Sequence, residues 1–246
     1  MRRLAAGIAS LAVFLLIWKL VVVIGGYPAY ILPPPEVVAT RAARAVQTGV
    51  LWEHTAATLL EVVLGFAVGA AAAVVAGIAL GKSVLVERAL SPYIVAAQAV
   101  PVLALAPLLD IWFGGGLLAR VAICALIVFF PIAIATMVGI RSVDPLLTEM
   151  LRSLGATRSQ RTRLLDVPSA LPVLFGGLRV GVTLAVIGAV VAEWAGARTG
   201  LGVLVLIANQ GLFDTELMFV ALATLAAIGL AFYGLVVLVE RRLVTT

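Results

Sequence analysis

Apolar residues run along the chain in long blocks, and charged residues collect in the gaps between them. A helix needs about 20 apolar residues, at about 1.5 Å rise each, to cross about 30 Å of hydrocarbon. Blocks of that length lie near residues 4–24, 56–80, 91–112, 117–140, 172–195 and 216–239, which predicts six spans. The third carries Pro92, Pro101 and Pro107, so a kinked or broken helix is expected there. The first follows Arg2 and Arg3 as a signal peptide would. No small-x-small cleavage site precedes Gly25-Gly26-Tyr27-Pro28, so it reads as a retained helix. Residues 35–48, with Arg41 and Arg44, predict a short interfacial helix on the outer leaflet.

Composition strengthens this reading. Of 246 residues, 63% are hydrophobic, against about 45–50% in a soluble domain. Such a chain has too little polar surface to coat a globule in water, and its solvent is lipid. The net charge of +5 points to cytoplasmic loops rather than to nucleic acid, because Lys and Arg collect on the inner side of a membrane. With the N-terminus inside, the inner set holds Arg2, Arg3, Lys82, Arg88, Arg141, Arg152, Arg158, Arg161, Arg163, Arg241 and Arg242. The outer set holds Arg41, Arg44, Arg120 and Arg198. This bias puts both termini and the 141–172 loop in the cytoplasm. The single Cys124 lies in an apolar run, which excludes a disulfide framework and reads as a small core residue.

The 141–172 loop is charged and helix-forming. Asp144 suits an N-cap, and Pro145 the first helical position. Leu146, Leu147, Met150, Leu151 and Leu154 then share one face, opposite Glu149, Arg152 and Ser153. Gly155 suits a left-handed C-cap. Thr157 with Gln160 suits a capping box opening a second short helix, which is expected to stop before Pro168. The pattern predicts two short helices joined at a Gly turn. An amphipathic interfacial helix is the plainer alternative, but it requires no Glu–Gly–Pro register.

That register resembles the "EAA" loop of bacterial ABC-importer permeases: Glu149-Met150-Leu151, then Gly155, then Leu165-Asp166-Val167-Pro168. Larger apolar residues replace its two alanines. The resemblance extends over roughly residues 55–240 through ILPPPEVV (31–38), VPVLALAPLLDIWFG (100–114), FFPIAI (129–134), GLRVGVTLAVIGAVVAEW (177–194) and GLG (200–202). It is best for importers of nitrate, taurine and aliphatic sulfonates, whose relatives include importers of pyrimidine and flavin vitamin precursors. It implies an all-α membrane protein of the type I ABC-importer permease fold. Residues 1–54 would supply the first span and the interfacial helix, and 55–246 the permease domain. It implies two ATPase subunits docked through Asp144, Glu149, Met150, Arg152, Ser153, Gly155, Ala156, Thr157 and Pro168. It further implies a periplasmic or lipid-anchored binding protein, a second permease copy and the bacterial inner membrane. ATP and Mg would sit on the partner ATPase, with no cofactor held by this chain.

Other signals are weaker. Gly81-Lys82-Ser83 resembles the end of a phosphate-binding loop, but its first Gly would fall on Ala76. The small-xxx-small pairs Gly65/Gly69 and Gly77/Gly81 read as close helix packing. His54, the only histidine, lacks partners for a metal. Charges within spans carry the functional suspicion. Lys19 and Arg179 lie near enough to helix ends to snorkel, and Glu61 would pair with a neighbouring helix. Gln98, Pro101, Asp110, Arg179 and Glu193 are the candidates for a pathway or gate. No nucleophile–base pair or catalytic carboxylate pair is visible, so the energy is expected from a partner. The rivals are an ion-coupled secondary transporter, which needs coupling-ion ligands and inverted repeats, and a structural membrane subunit without transport.

Overall fold

The computed structural model of the chain describes residues 2–211 and 213–244. Among them all regular structure is helical: α1 (Arg2–Gly25), α2 (Pro35–Gln47), α3 (Val50–Lys82), α4 (Val84–Ala99), α5 (Val102–Trp112), α6 (Gly116–Arg141), α7 (Pro145–Ser153), α8 (Arg158–Arg161), α9 (Val167–Gly196), α10 (Leu201–Leu206) and α11 (Thr215–Val244). Four stretches are long and apolar enough to cross a membrane: α3, α6, Arg158–Gly196 and α11. Helices α4 and α5 make a fifth if taken together, bent by 97°. This is the broken third segment the prolines predict. Only Pro101 breaks it: Val100 before it is extended at ψ 122°, as a pre-proline residue prefers. Pro92 and Pro107 lie inside their helices. Helix α1 is 24 residues long, and Ala9–Gly25 is its apolar stretch among the described residues. The side chains of Arg2 and Arg3, and the terminal Met1, Thr245 and Thr246, lie outside the described residues.

The chain forms two compact units. The first is Met1–Ala57 with Arg198–Ala226. Helix α2 occupies the region predicted for an interfacial helix, with Pro35 at its first position. Its Arg41 Nε donates to Asp214 Oδ2 at 2.8 Å. Asp214 also caps α11, accepting from the Leu217 N–H at 2.8 Å. Trp18 stacks on Phe219 with ring centroids 5.5 Å apart. Lys19 reaches out to Glu36 at 3.2 Å. Glu36's own backbone N–H, and then Lys19, hold its carboxyl below the usual range. His54 is buried, with its Nδ1 2.6 Å from the Gly200 carbonyl oxygen and 3.1 Å from the Gly200 nitrogen. Gly200 opens α10 at φ 142°, a conformation suited to glycine.

The second unit is Thr58–Ala197 with Ala227–Thr246. Its axis is α6, which buries Ile123, Cys124, Val128 and Ile132. Both neighbours meet α6 on glycines. A Cβ on Gly69 of α3 would stand 2.6 Å from the Ala125 carbonyl oxygen, and one on Gly77 would stand 2.5 Å from the Thr136 Cβ. Gly65 and Gly81 similarly meet Cys124 and Ile140, so the two small-xxx-small pairs do form one packing face. From the other side, α9 brings Gly181 against Ile132, and a Cβ on Gly188 would stand 3.0 Å from the Cys124 Cα. In lipid the hydrophobic effect gives no drive to this association, so backbone proximity and dispersion carry it. The Cys124 thiol donates to the Ala185 carbonyl at 3.3 Å, a core role.

Candidate functional site

The segment between α6 and α9 is built by local capping. Asp144 Oδ1 accepts from the Leu146 N–H at 2.8 Å, and Pro145 takes the first helical position. No residue of α7 is buried. Leu146 and Leu154 are 73% and 74% exposed, so the apolar face presents itself to the surroundings. Met150 belongs to the same face, while Glu149 and Arg152 are exposed opposite it. The Ser153 hydroxyl turns back to the Glu149 carbonyl at 3.0 Å.

Gly155 ends the helix at φ 76°. Its N–H donates to the Arg152 carbonyl, and the Ala156 N–H donates to the Leu151 carbonyl, each at 3.0 Å. These two bonds define a Schellman cap. The expected capping box follows. The Gln160 N–H donates to Thr157 Oγ1 at 3.3 Å, and the Thr157 N–H donates to Gln160 Oε1 at 2.8 Å. Leu151, Arg152, Ala156, Thr157, Arg158 and Arg161 enclose a hollow of about 100 Å³ inside the turn.

One expectation fails. The second helix does not stop before Pro168. After α8 the chain makes a π-helical turn over Thr162–Asp166 and enters α9 with Val167 helical at φ −67° and ψ −52°. The Val167 N–H donates to the Thr162 carbonyl, five residues back. This wider turn accommodates a proline that supplies no N–H and crowds the carbonyl four residues before it. Asp166 braces the turn, 3.5 Å from Arg161 Nε and accepting from the Thr162 hydroxyl at 3.3 Å. Arg158–Gly196 is therefore one helical run of 39 residues.

Where this segment joins the spans, α6 and α9 touch. A Cβ on Gly139 would stand 2.9 Å from the Ala170 carbonyl oxygen. Arg141 closes the end of α3, donating to the Leu80 carbonyl at 2.8 Å and pairing with Glu87 of α4 at 2.7 Å.

The pathway candidates are spread over α4, α5 and α9. Gln98 is exposed and donates to the Ile94 carbonyl within its own helix, and Pro101 marks the α4–α5 break. Asp110 lies against the end of α9, where a Cβ on Gly196 would stand 2.9 Å from its Oδ2. Arg179 and Glu193 share α9 but lie 14 residues apart, roughly 21 Å along the axis. Arg179 Nε donates to Glu240 Oε2 at 2.8 Å, and its Nη2 reaches the same oxygen.

Glu61 and Glu193, each 1% exposed, belong instead to a buried polar cluster. Arg120 Nε approaches Glu61 Oε1 to 2.5 Å without the alignment of a hydrogen bond, so the contact is an ion pair. The Thr58 hydroxyl donates to Glu193 Oε1 at 2.5 Å, and Glu193 is near enough for its charge to act on Glu61. Arg120 is thus the helical partner expected for Glu61 rather than a loop charge. Its pairing spans 59 positions, which no local pattern signals. Among the described residues no group of three or more His, Cys, Asp or Glu is arranged to hold a metal.

Residues 65–245 match the family described as the binding-protein-dependent transport system inner membrane component. The chain is 49% identical over 235 residues to the riboflavin transport system permease protein RibX of Chloroflexus aurantiacus, covering 96% of this chain and 87% of that one. It is 38% identical over 188 residues to the formylaminopyrimidine transport permease protein ThiX of Halalkalibacterium halodurans, covering 76% and 74%. Its fold is similar to that of a chain in the crystal structure of an amino acid ABC transporter with histidines. That match has a TM-score of 0.63 at 22% identity and covers 83% of this chain and 97% of the other. The chain belongs to the binding-protein-dependent transport system inner membrane components: it is a multi-pass permease subunit of an ABC importer.

Proposed function

We propose that this permease carries a flat, weakly charged heteroaromatic solute of the riboflavin or pyrimidine vitamin-precursor type. The 49% identity to a riboflavin permease over nearly the whole chain carries this reading. The scarcity of basic groups within the spans supports it, since Arg179 is engaged by Glu240 and Arg120 by Glu61. A sulfonate or taurine-like anion is the second reading. Two copies of the chain form the pathway, and a periplasmic or lipid-anchored binding protein delivers the solute. Two ATPase subunits, which hold ATP and Mg, dock on the hairpin from Asp144 to Arg158. The exposed apolar face of α7 supports the docking, because Leu146 and Met150 are 73% and 52% exposed among the described residues.

In this reading α1 and the α4–α5 pair complete six spans in the bacterial inner membrane, with both termini cytoplasmic. Single cysteines at Gln47 and Ser159 test the orientation with an impermeant maleimide. The native Cys124 is fully buried and can remain. Gln47→Cys is expected to label in intact cells, and Ser159→Cys only after lysis. The reverse pattern overturns the orientation.

Transport is tested in vesicles holding the permease, its ATPase and its binding protein. Riboflavin is expected to accumulate with ATP on the ATPase side, even after the proton gradient and membrane potential are collapsed. Uptake of taurine but not riboflavin would select the second solute class. Uptake by the permease alone, driven by a pH or sodium step, would replace the whole reading with a secondary transporter.

A further inference from the structure

The hollow of about 100 Å³ inside the α7–α8 turn is walled by more positive charge than the chain neutralises: Arg152, Arg158 and Arg161 all line it. Arg161 is committed, since its Nε stands 3.5 Å from Asp166 Oδ2. Arg152 and Arg158 are exposed, and among the described residues neither guanidinium has an ion pair or a hydrogen bond. Asp144 is used as the α7 cap, and Glu149, one turn before Arg152, does not pair with it. A built bend brings the two guanidiniums to one hollow. Gly155 reverses the chain at φ 76°, and the Thr157–Gln160 capping box sets the start of α8. Leu154, between Arg152 and Gly155 in the chain, is 74% exposed. The hollow therefore continues the apolar surface assigned above to the ATPase.

Two guanidiniums without a counter-ion repel each other and hold their water until an anion arrives. A carboxylate takes two parallel N–H bonds from one guanidinium and keeps lone pairs for a second. A small hollow admits a carboxylate on its side-chain stem, whereas a headgroup phosphate brings two ester arms with it. We propose that the hollow receives the carboxylate of an aspartate or glutamate on the partner ATPase. This rests on the docking of the ATPase at the hairpin and adds the chemistry of the contact. The apolar face of α7 supplies contact area, and Arg152 and Arg158 supply register by gripping one acidic side chain. Arg161, held by Asp166, closes the wall. An ATPase without that carboxylate would leave two cations covered and unpaired, so the hollow also selects the partner.

The test uses the full-length permease in detergent with its own ATPase. Arg152→Gln combined with Arg158→Gln should lower affinity for the ATPase at least about tenfold at low salt, and the decline of affinity with added salt should flatten. An unchanged melting temperature of the permease alone shows that this variant is folded; should it melt lower, Arg158→Gln alone takes its place with a smaller loss expected. Arg152→Lys combined with Arg158→Lys should keep the salt dependence and part of the affinity. In that variant a carbodiimide can join either new amine to a touching carboxylate, and the linked peptide is expected to end on an Asp or Glu of the ATPase. Leu146→Cys carrying a benzophenone maleimide reports docking independently. If it links to the ATPase while the Gln variant keeps the wild-type affinity and salt slope, the hollow assignment is overturned and the docking stands. The same holds if it links and the Lys variant joins no ATPase carboxylate. If no position reaches the ATPase, the docking reading falls and this proposal with it. Unchanged ATPase affinity beside lost co-purification of phosphatidylglycerol gives the hollow to a lipid headgroup and overturns the carboxylate.

Discussion

Gly155→Val is expected to leave the permease folded and membrane-inserted but to abolish most of its stimulation of the partner ATPase. A Cβ at this position meets nothing within 4 Å, so space is not the obstacle. The obstacle is the backbone, since φ 76° is costly for a β-branched residue. The strain is about 1–3 kcal/mol, enough to lower the population of the capped hairpin by roughly fivefold to more than a hundredfold. Relief requires φ to change, which breaks both carbonyl caps and re-aims α8 relative to α7. Asn tolerates the left-handed region, so Gly155→Asn should recover much of the coupling. The measurement is ATP hydrolysis by the reconstituted complex with and without the loaded binding protein. Normal stimulation in Gly155→Val would remove the hairpin from the docking assignment.

Arg120→Met is expected to be the most destabilising single change in the second unit. It leaves Glu61 buried without a counter-charge and with Glu193 close by. Breaking a buried pair from one side costs about 3–5 kcal/mol in proteins generally, whereas replacing both partners with apolar groups is often neutral. The double variant Glu61→Leu with Arg120→Met should therefore melt well above Arg120→Met alone in the same detergent. If the double variant is no more stable than the single one, the two side chains are not energetically coupled. Glu193→Gln keeps an acceptor for the Thr58 hydroxyl and should cost less than either single change at the ion pair.

The parts of this protein legible in its sequence are the local ones. The caps at Asp144, Gly155 and Thr157 follow from bonds spanning two to five residues, and those residue types announce them. The glycines of α3 announced a packing face, but not that α6 would fill it. The break at Pro101 was legible as a choice among three prolines. What distinguishes Pro101 is that the chain turns there, while Pro92 and Pro107 sit in helices that continue. Pro168 was misread because a π-helical turn is a change of hydrogen-bond register, and no residue type from Thr162 to Asp166 signals it. The pairs Glu61–Arg120 and Arg179–Glu240 join residues about sixty apart. Amphipathic periodicity shows which side of a helix is polar, but not which helix comes to meet it.

The hairpin is suspended from the two spans that have the least slack. Residues 142–144 separate α7 from α6, and α8 runs without interruption into α9. Those helices interlock through Gly139, Gly177, Gly181 and Gly188, which bring their backbones close together. A push at Leu146 or Leu154 therefore meets a stiff lever rather than a spring. A sideways displacement of the hairpin cannot dissipate as rotamer changes at its root, so it must tilt the α6–α9 pair as one piece.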